Sequence, residues 1–416
     1  MKNNTSVTRR GFLRTAGATL ALPYIIPSRS WAAANTTAPS ERITMGAIGF
    51  GGRGRYDLTF FLQQPDVQVV AVCDVQGSRR AQAKGLVDKQ YGNKDCATYI
   101  DFRELLARTD IDAVLIATGD NWHAMGSIMA ARAGKDIYSE KPMSVSMAEG
   151  RAVADTMKRY GAIYQCGTQR RSITRFRFAA ELAQSGRLGT LHTLLAEKTN
   201  NRWVDSTFPA EPEPPRSELD WDMWLGPAAW RPFNRKYVQR GTWANHRDFS
   251  GAEFTEWGSH TVDLCQWANQ ADDTSPIFYE PVADTVHARY ANGVDLIFSR
   301  HEWPLGVRYE GTEGWVEVDD DGNINTHPRT LLTSHKFGKG YPADNHIRNF
   351  LDCVKTRQQP TSPAETAHRS NTVCQIANIC KYLNRTLHWD PVNEQFINDP
   401  EADRMLSRTM RAPWTL

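Results

Sequence analysis

The stretch "GAIGFGGRGRYDL", residues 46–58, decides how the rest of the chain is read. An apolar run over residues 43–48 predicts a short strand, and residues 55–63 carry a helical pattern. Between them stands Gly49-Phe50-Gly51-Gly52-Arg53-Gly54, so the order is strand, G-x-G-x-x-G, helix. In that arrangement the first glycine permits a tight turn, the second lets backbone approach a pyrophosphate, and the third lets helix and strand pack closely. The helix N-terminus adds free N–H groups and a positive dipole end for phosphate. A second β-rich run, residues 67–72, strengthens a motif that is weak alone. It leads to Asp74, twenty residues after Gly54, where a carboxylate accepts ribose hydroxyls and repels a 2′-phosphate. The reading is a dinucleotide site that takes NAD in preference to NADP, with Arg79 and Arg80 close enough to weaken that preference.

The alternation continues outward from this unit. Residues 102–108, 122–133 and 147–159 read as helices, and residues 112–117, 137–139 and 163–167 as strands. Alternating strands and helices predict a parallel, doubly wound sheet, a Rossmann domain over residues 41–167. Beyond it, strands are predicted at 191–198, 285–290, 294–299, 307–310 and 315–318. Clustered strands with a few helices predict an α+β domain with a mostly antiparallel sheet over residues 168–416. Residues 205–219 hold Pro209, Pro212, Pro214 and Pro215 and are expected to form a loop. Asp319-Asp320-Asp321-Gly322 lacks calcium-loop spacing, because Pro328 stands where the bidentate Glu belongs, and reads as a hairpin turn.

Composition narrows the function. A net charge of +2 points neither to nucleic acid nor to an anionic membrane surface, and no segment after the N-terminus reaches transmembrane length. Seven scattered cysteines without a C-x-x-C argue against a disulfide framework or a zinc site, and no metal is expected. At the start, Arg9-Arg10 precedes Phe12-Leu13 and Arg14, then a short apolar run and Ala32-Ala33-Ala34. This looks like a twin-arginine signal over residues 1–34, a route that carries folded proteins to the periplasm. Seven of the thirteen tryptophans fall between Trp203 and Trp267, a concentration that suits either a core or stacking on sugar rings.

Two strand ends stand where open α/β sheets bind ligands: Ala117-Thr118-Gly119-Asp120-Asn121-Trp122-His123 and Glu140-Lys141-Pro142. Further on, "GAEFTEWGSHTVDLCQWA" (residues 251–268) puts Glu256, His260, Asp263 and Trp267 on one face at helical spacing. Here the chain resembles the glucose–fructose oxidoreductase and inositol dehydrogenase family, Gfo/Idh/MocA, from about Arg42 to Leu416. The marks are the His123 and Glu140-Lys141-Pro142 strand ends and the helix carrying His260. The resemblance implies cofactor contacts from Gly49, Gly51, Gly52, Arg53, Gly54, Asp74, Thr118, Asp120, Trp122, His123, Glu140, Lys141 and Gln169. It departs at Gly119, where the family often has Pro, and at Glu256, where the family usually has Asp.

The implied chemistry is hydride transfer between a carbohydrate carbon and nicotinamide, with His260 as acid and base, Lys141 as relay, and Glu256 in a third catalytic place. Trp243, His246, Trp257 and His260 are the expected substrate contacts, and a homo-oligomer through the C-terminal sheet is expected. An exported enzyme cannot exchange NADH with a cytoplasmic pool, so the cofactor is expected to stay bound. The alternative is a redox-neutral glycosidase, found in the family, with Tyr237, His246 or Glu256 as the second base. A carbohydrate sensor that merely keeps the fold is disfavoured by intact Lys141 and His260.

Overall fold

Two sheets organise the chain, as the computed structural model shows for residues 38–197, 203–299, 306–334 and 345–416. The expected signal, residues 1–34, lies outside the described residues, as does Lys198 at the end of one expected strand. The first sheet contains β1 (Ile43–Ile48), β2 (Val67–Cys73), β3 (Ala97–Tyr99), β4 (Ala113–Ile116), β5 (Asp136–Ser139) and β6 (Tyr164–Cys166). Its order is β3-β2-β1-β4-β5-β6, parallel throughout. The strand order reverses between β1 and β4, which opens a crevice beyond their carboxyl ends. Strands β4, β5 and β6 are buried along their whole length, as parallel strands covered on both faces must be. Period-two alternation feeds two cores: Val114 and Ile116 join Trp122, Met125 and Ile128, whereas Ala113 and Leu115 join Leu58, Phe61 and Phe350.

Most of these elements match the sequence reading, and the differences have physical causes. The first helix is Gly52–Leu62, so it starts inside the glycine loop and Gly54 sits in its first turn. Helix Gly77–Tyr91 and β3 were not foreseen. Only Ala83 and Val87 of that helix are buried, so it carries no apolar stripe to read.

The second sheet contains β7 (Leu191–Glu197), β8 (Phe278–Val282), β9 (Thr285–Arg289), β10 (Asp295–Ser299), β11 (Gly306–Gly311), β12 (Gly314–Asp319), β13 (Ile324–His327), β14 (Leu387–Asp390) and β15 (Gln395–Phe396). Its order is β13-β12-β11-β7-β10-β9-β8-β14-β15. Strands β7 and β10 pair in parallel, and the other pairs are antiparallel. Leu296, Phe298, Val307 and Tyr309 point to one face and pack with Val262 and Leu264 of helix Gly258–Ala268. The opposite face is half-exposed along β10. Helix Ala364–Leu383 packs on both Met147–Tyr160 and Gly258–Ala268, so it ties the two sheets together. Asp319 and Gly322 form the β12–β13 hairpin turn, with Gly322 at φ +97°.

Candidate active site

The glycine loop separates two reasons for being glycine. Gly49 has φ +90°, and a Cβ there would stand 2.5 Å from the Ala117 carbonyl oxygen. A Cβ on Gly54 would stand 2.3 Å from the Gly49 oxygen. Both positions are closed by the protein itself. A Cβ on Gly52 would meet nothing within 4 Å, and one on Gly51 only the Arg79 guanidinium at 3.9 Å. Both line the crevice, so protein packing does not require glycine there, whereas a group seated against the backbone does. The helix that starts at Gly52 has no side-chain cap and leaves its first N–H groups for a ligand. A dinucleotide phosphate fits this cradle.

Asp74 stands on the rim of the same crevice. Its carboxylate accepts the Phe50 and Gln76 N–H groups, each at 2.8 Å, and so ties the glycine loop to the end of β2. Burial pushes its pKa up, and those two amides oppose the rise. Arg80 is spent on the Asp74 and Ser217 carbonyls, at 2.6 and 3.1 Å, whereas Arg79 lines the crevice. Thr118 and Trp122 line it from the β4 side.

Several of the expected cofactor contacts also have protein partners. Arg53 donates to Glu140 at 3.0 Å and pairs with Asp57 at 2.8 Å. With its amide oriented to satisfy both ends, Gln169 accepts from Arg53 at 2.8 Å and donates to the Gly167 carbonyl. His123 is buried, with Nδ1 2.7 Å from the Pro142 carbonyl oxygen. These residues form the floor under the Glu140-Lys141-Pro142 turn. Their common effect is to fix the backbone from which Lys141 projects.

Lys141 reaches across to the second half of the chain. Its Nζ donates to the Glu256 carbonyl at 2.8 Å and lies 3.9 Å from the Glu256 carboxylate. That carboxylate also forms a short ion pair with Arg240. The expected continuous stripe is broken at Trp257, between helices Ala252–Glu256 and Gly258–Ala268. His260 follows the break and is 2% exposed. The Trp257 ring meets it edge-on at 5.3 Å, and the Arg170 guanidinium lies 4.5 Å over the Trp257 ring centroid while holding Asp320. Nδ1 of His260 has no hydrogen-bond partner among the described residues. Burial, reinforced by Arg170, Lys141 and Arg53, holds its pKa well below 6.5, so the imidazole is neutral. A buried neutral imidazole with an unpartnered nitrogen, acted on by the Lys141 charge, is suited to taking a proton from a substrate hydroxyl.

Two family models match the chain, one described as "Oxidoreductase family, NAD-binding Rossmann fold" over residues 43–168 and one as "Oxidoreductase family, C-terminal alpha/beta domain" over residues 182–416. The chain belongs to the Gfo/Idh/MocA oxidoreductase family. It is 30% identical over 178 residues to the uncharacterized oxidoreductase YrbE of Bacillus subtilis, covering 42% of this chain and 47% of that protein. It is 31% identical over 173 residues to a glycosyl hydrolase family 109 protein of Shewanella baltica, covering 37% and 38%. The matches thus span less than half the length of these curated relatives. The fold is similar to the WlbA dehydrogenase of Bordetella pertussis, crystallised with NADH and UDP-GlcNAcA, at TM-score 0.59 and 17% identity over 84% of this chain and 99% of that one.

In this Gfo/Idh/MocA chain the four expected substrate residues do not gather at one place. Trp257 and His260 are neighbours, whereas Trp243 lines the dinucleotide crevice beside Arg240. His246 is enclosed elsewhere: Nε2 meets Arg231 at 2.7 Å and the Ser206 carbonyl at 3.1 Å, and Nδ1 accepts the Asp248 N–H. Asp120 accepts the Ser250 hydroxyl at 2.7 Å, and burial with the nearby Glu256 charge pushes its carboxyl up to about 7. Arg240, Arg170 and Ser250 are site residues that the sequence reading missed. Arg170 adjoins Gln169 in "CGTQRR" and had a positional signal, and the other two had none.

Proposed function

We propose that this oxidoreductase acts on a carbohydrate CH–OH group, uses NAD in preference to NADP, and works in the periplasm with its cofactor retained. The observation that carries the chemistry is His260, buried and neutral, with Nδ1 unpartnered and Lys141 among the charges that act on it. The dinucleotide, when bound, supplies a hydride acceptor. The residues of the chain do the rest. The floor of Arg53, Glu140 and Gln169 fixes Lys141, which is held at Glu256. His260 takes the substrate hydroxyl proton and returns it in the reverse direction. Trp257 presents an aromatic wall to the sugar beside it. The succession of Arg9-Arg10, apolar run and Ala32–Ala34 in the sequence supports export, and the half-exposed outer face of β10 supports pairing of two copies through the second sheet.

A second reading, a redox-neutral glycosidase, is favoured by the likeness to glycosyl hydrolase family 109 proteins. The geometry narrows its second base. Tyr237 and His246 are enclosed in an aromatic cluster with Phe249, whereas Glu256 stands against Lys141. Mass spectrometry of products from a glycoside panel, with no NAD added, tests both readings. A keto sugar supports the oxidoreductase, and a released aglycone with no net oxidation supports the glycosidase. Absence of any product across the panel would overturn both.

A further inference from the structure

The expected loop that contains residues 205–219 is part of a larger body. Leu219, Trp221, Leu225, Phe233, Tyr237 and Phe249 form a separate small core. Trp221 stacks on Trp224 at 4.9 Å with planes 14° apart, and Trp224 meets Phe249 edge-on at 5.0 Å. A segment with its own core holds a shape and presents a fixed surface.

That surface is fastened to both rims of the dinucleotide crevice. On the β2 side, Gly77 N–H donates to the Glu218 carbonyl at 2.8 Å, and Asp220 N–H donates to the Val75 carbonyl at 3.1 Å. These bonds flank an antiparallel bridge between Gln76 and Leu219. On the β4 side, Trp122 Nε1 donates to the Met223 carbonyl at 2.8 Å, and Asn121 donates to the Leu225 carbonyl at 3.0 Å. Eight residues, 218–225, therefore span from one rim to the other. A third fastening comes from farther along the chain: Arg411 donates to the Gly226 carbonyl at 3.1 Å, and Trp414 packs edge-on against Trp122 at 4.8 Å. Gly226 has φ +53°, and a Cβ there would stand 2.3 Å from the Trp122 ring, so the close approach depends on that glycine.

Trp224, Val238 and Trp243 of this segment line the crevice, together with Asp74, Val75 and Phe102 from the first sheet's side. Asp74 marks the ribose end of a dinucleotide site, so the apolar wall lies over its adenosine half. We propose that residues 204–249 form a fixed cover of the dinucleotide site, in which Trp224, Val238 and Trp243 are cofactor-binding residues that set how slowly the cofactor leaves. The cover deepens the reading of a retained dinucleotide and rests on it. A bound molecule must escape past a roof pinned at both rims, so its residence is governed by opening of the roof as well as by the contacts of the glycine loop.

The test is NADH release from the full chain, followed by nicotinamide fluorescence after a chase with excess NAD. The native protein should release slowly. Trp243→Ala should release roughly 10-fold faster or more, the scale of one lost aromatic wall against a base. Trp243→Phe should restore most of the slow phase. Trp224→Ala should release faster still, because it also loosens the small core, and its melting curve reports whether the two sheets remain folded. Native-rate release from both alanine variants, with slow release retained, would overturn the cover and leave the retained-cofactor reading standing. Fast release from the native protein would instead overturn retention itself.

Discussion

Asp263 and His260 lie three residues apart on one helix, both nearly inaccessible, and their surroundings are opposite. Asp263 is saturated. Arg171 clamps it through Nε at 2.6 Å and Nη2 at 2.9 Å, Ser370 donates at 2.9 Å, and Asp272 completes the guanidinium's partners at 2.7 and 2.8 Å. His260 has an unpartnered nitrogen, and the charges of Arg170, Lys141 and Arg53 oppose its protonation. Burial of a polar group costs free energy unless hydrogen bonds offset it. Asp263 is offset within the protein and serves the fold. His260 is not, and under the proposed function the missing partner is the substrate hydroxyl. A polar stripe at helical spacing contains both kinds of residue, and its spacing alone does not separate them.

This contrast breaks most visibly at Asp263. Asp263→Ala leaves Arg171 with Asp272 as its one carboxylate partner among the described residues and should cost about 3–5 kcal/mol of stability, read by urea denaturation. A variant as stable as the native protein would remove the structural half of the comparison. His260→Ala should do the reverse. Reduction of bound NAD in a single turnover should slow by roughly 100-fold or more, while the urea midpoint moves little. A native rate would show that the open nitrogen has no chemical task.

Lys141→Met sharpens the same side. It should slow the step by roughly 10-fold or more, and the double change with His260→Ala should cost little beyond the worse single change if the two residues act as one unit. Stopped-flow nicotinamide absorbance measures all three. The smallest effect is on pH. His260 has its pKa lowered below 6.5, and burial lowers that of His346 to about 4. In the folded state these rings stay neutral while the unfolded chain takes up protons, so stability is full above pH 6.5 and declines as pH falls from there toward 4. His260→Ala should make that acid limb shallower, and an unchanged slope in urea titrations across pH 7 to 4 would contradict a neutral buried imidazole.

The first sheet apart from its edge strand β3 was legible because its apolar runs are short, regular and bounded by helical patterns, and because Gly49 and Gly54 obey local geometry. Strands β8, β13, β14 and β15 were not foreseen. Strand β8 includes Pro281, β15 has two residues, and β13 and β14 have four each, too few for alternation to register. His260, Lys141 and Asp74 were legible as motif positions. For Arg53 and His123 the sequence shows where a side chain starts and not which protein neighbours it also meets: Asp57 and Glu140 for Arg53, and the Pro142 carbonyl for His123 Nδ1. The Pro-rich composition of residues 205–219 reads as loop, since its partners Gln76, Gly77 and Arg80 are more than a hundred positions away.

Gly51 and Gly52 carry a consequence for how this site changes through mutation. At Gly49 or Gly54 a methyl group collides with backbone, so a substitution is punished as misfolding whether or not anything is bound. At Gly52 the same methyl group enters open space, and its backbone stands in a helix any residue tolerates. The two pairs therefore answer to different judges. A lineage that abandoned the dinucleotide would be free to drift at Gly52 while Gly49 and Gly54 stayed fixed, and the wear on that single position would record the loss of chemistry in a protein whose shape had not altered.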